Sequence, residues 1–322
     1  MARRALRKPL TTRKLGPRVA AGGVPCGEIS RVPARNDILP ALALIEQETV
    51  CAESAGDAVL IYMDMRYIML IDTSIGKGRL GILGGMGSEA TACFVRTLAQ
   101  RSPATVDQDH IPFVLLSCPE IPDRSTAIEA GDAGVQTIIR TRLTQLERTG
   151  CGAVAIPCNT AHYWRRHFAS SLQIPLIDMV SATARHAAHL NARSAIVLGT
   201  HATMKLRLYD EALAGFDIQS VDVDDEIIRS TSSAIALAKS ADIDESRKQL
   251  VHVLDACRSL CPDVIILGCT ELPMVLPSEA IAEDLIDSDA CLADACIRWW
   301  LSAPARNARA KSLSTEELVN ER

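Results

Sequence analysis

Two short stretches constrain this chain more than any other feature. The first, Ala153 to Tyr163, runs A-V-A-I-P-C-N-T-A-H-Y, an apolar run closed by Pro157 with Cys158 directly beyond it. The second, in the later part of the chain, runs Val264-Ile265-Ile266-Leu267-Gly268 and then Cys269-Thr270-Glu271. Short continuous apolar runs bounded by turn residues read as strands buried on both faces, which is the signature of a parallel sheet covered by helices. Such sheets take ligands at the carboxyl ends of their strands, where helix N-termini attract carboxylates. Each cysteine stands at such an end with a threonine close behind it, so the pattern predicts two thiols facing one pocket.

The rest of the chain supplies the matching framework. Leu80 to Leu83 reads as a strand, Gly84-Gly85-Met86-Gly87 as a tight turn, and Ser88 to Gln100 as a helix with Ser88 as its N-cap. This turn lacks both the G-x-G-x-x-G spacing of a dinucleotide site and the lysine of a P-loop. Phe113–Ser117 and Ile174–Ile177 read as further strands, and Gly134–Thr149 as an amphipathic helix leading to the Cys158 strand. A second run repeats the alternation: strands at 195–198, 218–221, 264–268 and 285–286, helices at 203–213, 226–239, 245–260 and 289–301. The expectation is an α/β protein with two similar domains, 79–178 and 179–288, each with a mostly parallel four-stranded sheet and related by a pseudo-twofold axis. The helix at 289–303 is expected to pack back on the first domain and 304–322 to form a polar tail. The echo of V-A-I-P-C-N-T in I-I-L-G-C-T suggests an internal duplication.

The first 78 residues stand apart. Residues 1–35 hold nine Lys/Arg against one acid, Glu28, and are rich in Pro and Gly with no apolar face at helical spacing. Disorder is the reading adopted for them, with an organelle transit peptide as the alternative. Leu39–Glu53 reads as a short helix, and Val59–Ile71 as an apolar strand or helix too short to span a bilayer. Composition narrows the class of function. A net charge of −5 gives no footing for nucleic acid. The 11 cysteines show no C-x-x-C or zinc-ribbon spacing, which argues for reduced thiols in a cytoplasmic protein and against a metal site.

A lone buried cysteine is ordinary packing, whereas two in matching strand-end settings invite a chemical reading. A thiolate on one face of an α-carbon can remove its proton while a thiol on the other face delivers one, which inverts the centre. The segments G-I-L-G-G-M-G-S-E-A-T, D-Q-D-H-I-P, I-P-D-R-S, A-I-P-C-N-T-A-H-Y and L-G-C-T-E-L resemble the aspartate/glutamate racemase family, nearest its aspartate racemase branch, over roughly 79–300. The resemblance implies a racemase that needs no cofactor, acts on a small amino acid in the cleft between two α/β domains, and forms a homodimer. It implies that Cys158 and Cys269 are catalytic and that Arg124 and Lys239 contact the side-chain carboxylate. Met86, Asn159, Thr160, Thr270 and Thr203 match positions that hold the α-carboxylate, and His162 and Glu271 could orient the thiols or simply pack. Ser88 and Ser125 depart from the family's usual proline and threonine. Within the same superfamily stand a glutamate or broad-specificity racemase, a hydantoin racemase and a maleate isomerase. A non-catalytic amino-acid-binding protein is the rival from another class.

Overall fold

The computed structural model describes residues 78–277 and 282–302, together with the backbone of three strands within 51–72. Those strands, β1 (Cys51–Ala55), β2 (Ala58–Met63) and β3 (Tyr67–Asp72), pair antiparallel in chain order. Residues 51–53 are thus strand, not the end of a helix, and the Val59–Ile71 stretch resolves to two strands. The rest of Leu39–Glu53, the disorder expected over 1–35 and the tail at 304–322 lie outside the described residues.

The body is built on two parallel four-stranded sheets. In the first, β4 (Leu80–Gly84), β5 (Phe113–Ser117), β6 (Ala153–Ala155) and β7 (Leu176–Ile177) lie in the order β5-β4-β6-β7. In the second, β8 (Ser194–Gly199), β9 (Gln219–Ser220), β10 (Val264–Gly268) and β11 (Leu285–Asp287) lie in the order β11-β10-β8-β9. Numbered within its own unit, each sheet has the order 2-1-3-4. The reversal of direction between first and third strands makes a crevice at their carboxyl ends, which is where such sheets bind ligands. Cys158 follows the third strand of one unit and Cys269 the third strand of the other.

The duplication extends to a detail that strand patterns alone hide. The same Leu-Ile-Asp run closes both units, at 176–178, where Asp178 follows β7, and at 285–287, which is β11. Asp178 and Asp287 then cap the helices that follow, accepting from the backbone N–H of Val180 at 2.9 Å and of Asp289 at 2.8 Å. The two helices cross over. Met179–His189, a helix that the strand-led sequence reading passes by, lays Val180, Ala184 and Ala187 against Ala195, Val264 and Ile266 of the second sheet. Ser288–Leu301 lays Leu292, Ala293 and Cys296 against Leu80, Ile82 and Phe94 of the first. Each sheet is closed on one face by a helix that the other unit's strands lead into.

Two local expectations are corrected. Gly87, not Ser88, holds the N-cap position of the Ser88–Arg101 helix and makes no side-chain bond there. Thr91 instead ties the preceding turn to the helix, donating to the Gly87 carbonyl at 2.7 Å and accepting from the Gly85 N–H at 2.9 Å. Gly85 itself has φ = 90°, and a Cβ there would stand 2.4 Å from the Cys118 backbone nitrogen, so the turn requires glycine. The single helix expected over 203–213 is two short ones, His201–Lys205 and Asp210–Ala214, because Arg207 adopts φ = 51° and breaks the ladder.

Candidate active site

The crevice between the units is a cavity of about 300 Å³, open mouth included. Cys158, from the first sheet, and Cys269, from the second, both line it, and both are nearly inaccessible at 5% and 4% exposure. Met86, Arg124, Asn159, Thr160, Lys239 and Thr270 complete the lining expected from sequence. Thr203 does not reach the wall. It sits buried behind Thr200, with its hydroxyl 3.0 Å from that of Thr200 and 3.4 Å from that of Thr160. Thr200, legible in sequence only as part of a turn, lines the cavity and meets Thr160 at 2.9 Å. Asp123, Ser125 and Glu271 line it as well.

The two thiols have different surroundings. Cys269 donates to Glu271 Oε2 at 2.9 Å, and Thr270 donates to the same oxygen at 3.2 Å. Burial first, and the Glu271 carboxylate second, hold the Cys269 thiol well above its ordinary range, so it rests protonated. Lys239 Nζ lies 4.0 Å from the other carboxylate oxygen of Glu271 and opposes that effect weakly from the rim.

On the Cys158 side the nearby histidine grips the backbone, not the sulfur. His162 Nε2 accepts from the Met179 N–H at 3.2 Å, so its proton sits on Nδ1, which donates to the Cys158 carbonyl at 2.9 Å. Complete burial keeps this imidazole neutral, below its ordinary value of 6.5. His162 therefore ties the Cys158 loop to the start of the crossing helix. Asn159 is similarly engaged. Its side chain accepts from the Tyr209 hydroxyl and donates at 3.0 Å to Ser288, both from the second half of the chain. Ser288 in turn donates to the Leu267 carbonyl at 2.7 Å, two residues before Cys269. The side chain of Asn159 locks the units together, which leaves its backbone as the part that can face a ligand.

Arg124 is the buried cation of the site. Nη1 donates to the carbonyls of Ile121 at 3.3 Å and Pro122 at 3.2 Å, and Nη2 to that of Met86 at 3.3 Å. Its Nε is buried without a hydrogen-bond partner, and it makes no salt bridge among the described residues. A guanidinium so placed is a standing demand for an anion. No group of three or more His, Cys, Asp or Glu poised to hold a metal occurs among the described residues. Nor, among them, is any helix long and apolar enough to cross a membrane.

The arrangement, two buried strand-end thiols with a buried guanidinium that makes no salt bridge among the described residues, agrees with what comparison with known proteins finds. Over 227 residues the chain is 30% identical to the broad-specificity amino-acid racemase RacX of Bacillus subtilis (strain 168), a match covering 69% of this chain and 98% of that protein. The solved structure of Picrophilus torridus aspartate racemase superposes with a TM-score of 0.63 at 31% identity, covering 69% of this chain and 94% of that one. The glutamate racemase isoform RacE1 of Bacillus anthracis shares the fold at 21% identity, with a TM-score of 0.53 over 68% of this chain and 80% of its own. Residues 83–296 match the model of the Asp/Glu/Hydantoin racemase family, and the chain belongs to that family.

Proposed function

We propose that this protein interconverts L- and D-aspartate, with Cys158 and Cys269 serving opposite faces of the α-carbon and no pyridoxal phosphate. Family membership makes it an amino-acid racemase, an isomerase; the choice of acidic substrate and of the two cysteines is the inference. The observation that carries it is the pairing of two buried thiols in one cavity with a buried arginine whose Nε has no hydrogen-bond partner and which makes no salt bridge among the described residues. The α-proton of a carboxylate-bearing carbon is weakly acidic, so the site must stabilise the carbanion as charge spreads onto the carboxylate. Backbone N–H groups after the two third strands, with the hydroxyls of Thr160, Thr200 and Thr270, are the donors for that task. Arg124 takes the distal carboxylate with its unused N–H groups, and Lys239 adds charge at the rim.

In one direction a Cys158 thiolate removes the α-proton and the Cys269 thiol, already protonated, delivers its own to the opposite face. In the other, Glu271 accepts the Cys269 proton, the thiolate so formed takes the α-proton, and the Cys158 thiol delivers its own proton to the opposite face. Burial, the larger cause of the high proton affinity of Cys269, persists once Glu271 holds the proton and makes the thiolate a strong base. A broader substrate range is the second reading. It is favoured by Arg124 spending three contacts on backbone carbonyls, which leaves fewer donors to discriminate among side chains. We further infer a homodimer, on the strength of the family resemblance, acting in the cytoplasm, on the strength of its cysteine usage.

Incubation with L-aspartate and, separately, L-alanine in deuterated water tests both readings. Proton NMR and chiral chromatography should show α-deuteration and D-isomer formed faster from aspartate. Arg124→Leu should lower kcat/KM on aspartate by about 10²-fold or more, the effect of stranding a buried carboxylate, and on alanine by much less. An unchanged aspartate-to-alanine ratio in Arg124→Leu favours the broad-range reading, and binding without α-exchange removes the racemase reading altogether.

A further inference from the structure

A second and larger depression, about 680 Å³ with its open mouth, lies on the second unit behind the threonine cluster. Val197, Leu208, Val223 and Ile228 give it an apolar floor. Lys205, Arg207, Asp210 and Asp222 stand among its lining, so its charged groups carry both signs. Arg207 is paired with both Asp210 and Asp222, and Lys205 with Asp225 at 2.5 Å. These are exposed pairs, Asp222 most of all, and such pairs exchange partners at little free-energy cost. An apolar base beside exchangeable cation–anion pairs is complementary to a zwitterion with an apolar tail. A carboxylate alone would displace Asp222 and leave it unpaired, and an amine alone would draw Asp222 away and leave Arg207 with Asp210 only. A molecule with both charges on one carbon replaces both partners at once.

The depression touches the catalytic cleft through two hydrogen-bonded side chains. Thr203 lines it and carries the hydroxyl that meets Thr160 and Thr200. Tyr209 lines it too, and its hydroxyl donates to Asn159. Both flank the Arg207 break between two short helices, so a ligand that moves Arg207 pulls on the cleft from two points. We propose that this depression binds a free α-amino acid with an aliphatic side chain, and that its occupancy alters substrate binding in the thiol cleft through Thr203 and Tyr209. The site itself does not depend on the racemase reading; only the identity of the ligand in the cleft does.

Calorimetric titration of the full chain with L-leucine tests the first part. Leucine should bind the wild type and Arg124→Leu alike, and should bind at least about tenfold more weakly to Val223→Trp, which fills the floor, and to the surface variant Arg207→Ala. On the wild type, 4-methylpentanoate and 3-methylbutylamine, each with one of the two charges, should also bind at least about tenfold more weakly than leucine. Absence of leucine binding at millimolar concentration overturns the site. So does binding lost in Arg124→Leu but kept in Val223→Trp and Arg207→Ala, because leucine then sits in the catalytic cleft. Equal binding of the single-charge analogues overturns the zwitterion assignment. For the coupling, the Kd of racemic aspartate should shift in the presence of saturating leucine, and leucine's Kd should shift by the same factor with saturating aspartate. No shift in either overturns the communication. Because that readout is a Kd, a protein that binds aspartate without turning it over still answers the question.

Discussion

At the residue scale the two thiols differ in what surrounds them, and that difference is testable. A serine hydroxyl is a far weaker acid than a thiol, so Cys158→Ser and Cys269→Ser should each lower racemisation by about 10²–10⁴-fold, the scale of a lost acid or base. Each should still exchange the α-proton of one enantiomer with deuterated solvent, and the two variants should favour opposite enantiomers. Near-wild-type racemisation by either would dispose of the two-thiol mechanism. The Cys269–Glu271 contact adds a sign that can be read. The Glu271 charge raises the Cys269 pKa, so Glu271→Gln should move the limb of the pH–rate profile owed to Cys269 toward lower pH. Lys239 acts in the opposite sense, so Lys239→Ala should move the same limb upward. A limb that stays put in both variants belongs to another group.

At the element scale, what could be read from sequence follows how much of an element's stability is local. Strands buried on both faces, such as Leu80–Gly84 and Val264–Gly268, announce themselves as apolar runs. The edge strands β7 and β9 are two residues each, and their pairing is decided by the neighbouring strand, which a single stretch of sequence does not display. The strand-end positions of Cys158 and Cys269 and the Gly-rich turn were legible because turn residues bound the apolar runs of their strands. Thr200 was not, because a threonine after a strand is unremarkable until the other unit brings Thr160 to it. His162 shows the same limit: the sequence offers it as a thiol partner, and only the fold reveals that it holds the Cys158 carbonyl and the Met179 N–H. That role has a pH signature. The native imidazole is held below 6.5 by burial, against the nearby Asp178 and the 2.9 Å bond to Cys158, while the unfolded chain titrates near 6.5. The unfolded state thus binds the extra proton first. His162 contributes stability above that value that is lost as pH falls below it, by up to about 1.4 kcal/mol per pH unit. Urea midpoints from pH 8 to 5 should fall for the wild type, and His162→Gln should start lower and fall less. Parallel slopes in the two proteins would assign the pH dependence elsewhere, His186 being the next candidate.

At the scale of the whole molecule the crossing helices decide whether two units behave as two domains. The Ser288–Leu301 helix follows the last strand of the second sheet yet buries Leu292 and Cys296 completely against Leu80, Ile82 and Phe94 of the first. Met179–His189 returns the exchange by covering the second sheet with Val180 and Ala184. Neither sheet can keep both faces dry if the other unit opens, and each exposed core would forfeit about 25 cal/mol for every Å² of apolar surface returned to water. The same crossings hold the thiols' surroundings: Asp178 and Asp287 cap the two helices, while His162 joins one cap region to the Cys158 carbonyl and Ser288 joins the other to the Leu267 carbonyl of β10, the strand that Cys269 follows. Stability and the geometry of the thiol cleft therefore rise and fall together. Unfolding in urea should be one cooperative transition, with the fluorescence of Trp164, Trp299 and Trp300 coincident with far-ultraviolet circular dichroism. Leu292→Ala empties a fully buried position and should cost about 2–5 kcal/mol, displacing that single transition as a whole without splitting it. Racemase activity should disappear at the same denaturant concentration as the helical signal. Two separated transitions, or a Leu292→Ala variant in which tryptophan fluorescence shifts while most helical signal stays in place, would show the units to be independent domains and would remove the physical coupling between the crossing helices and the thiol cleft.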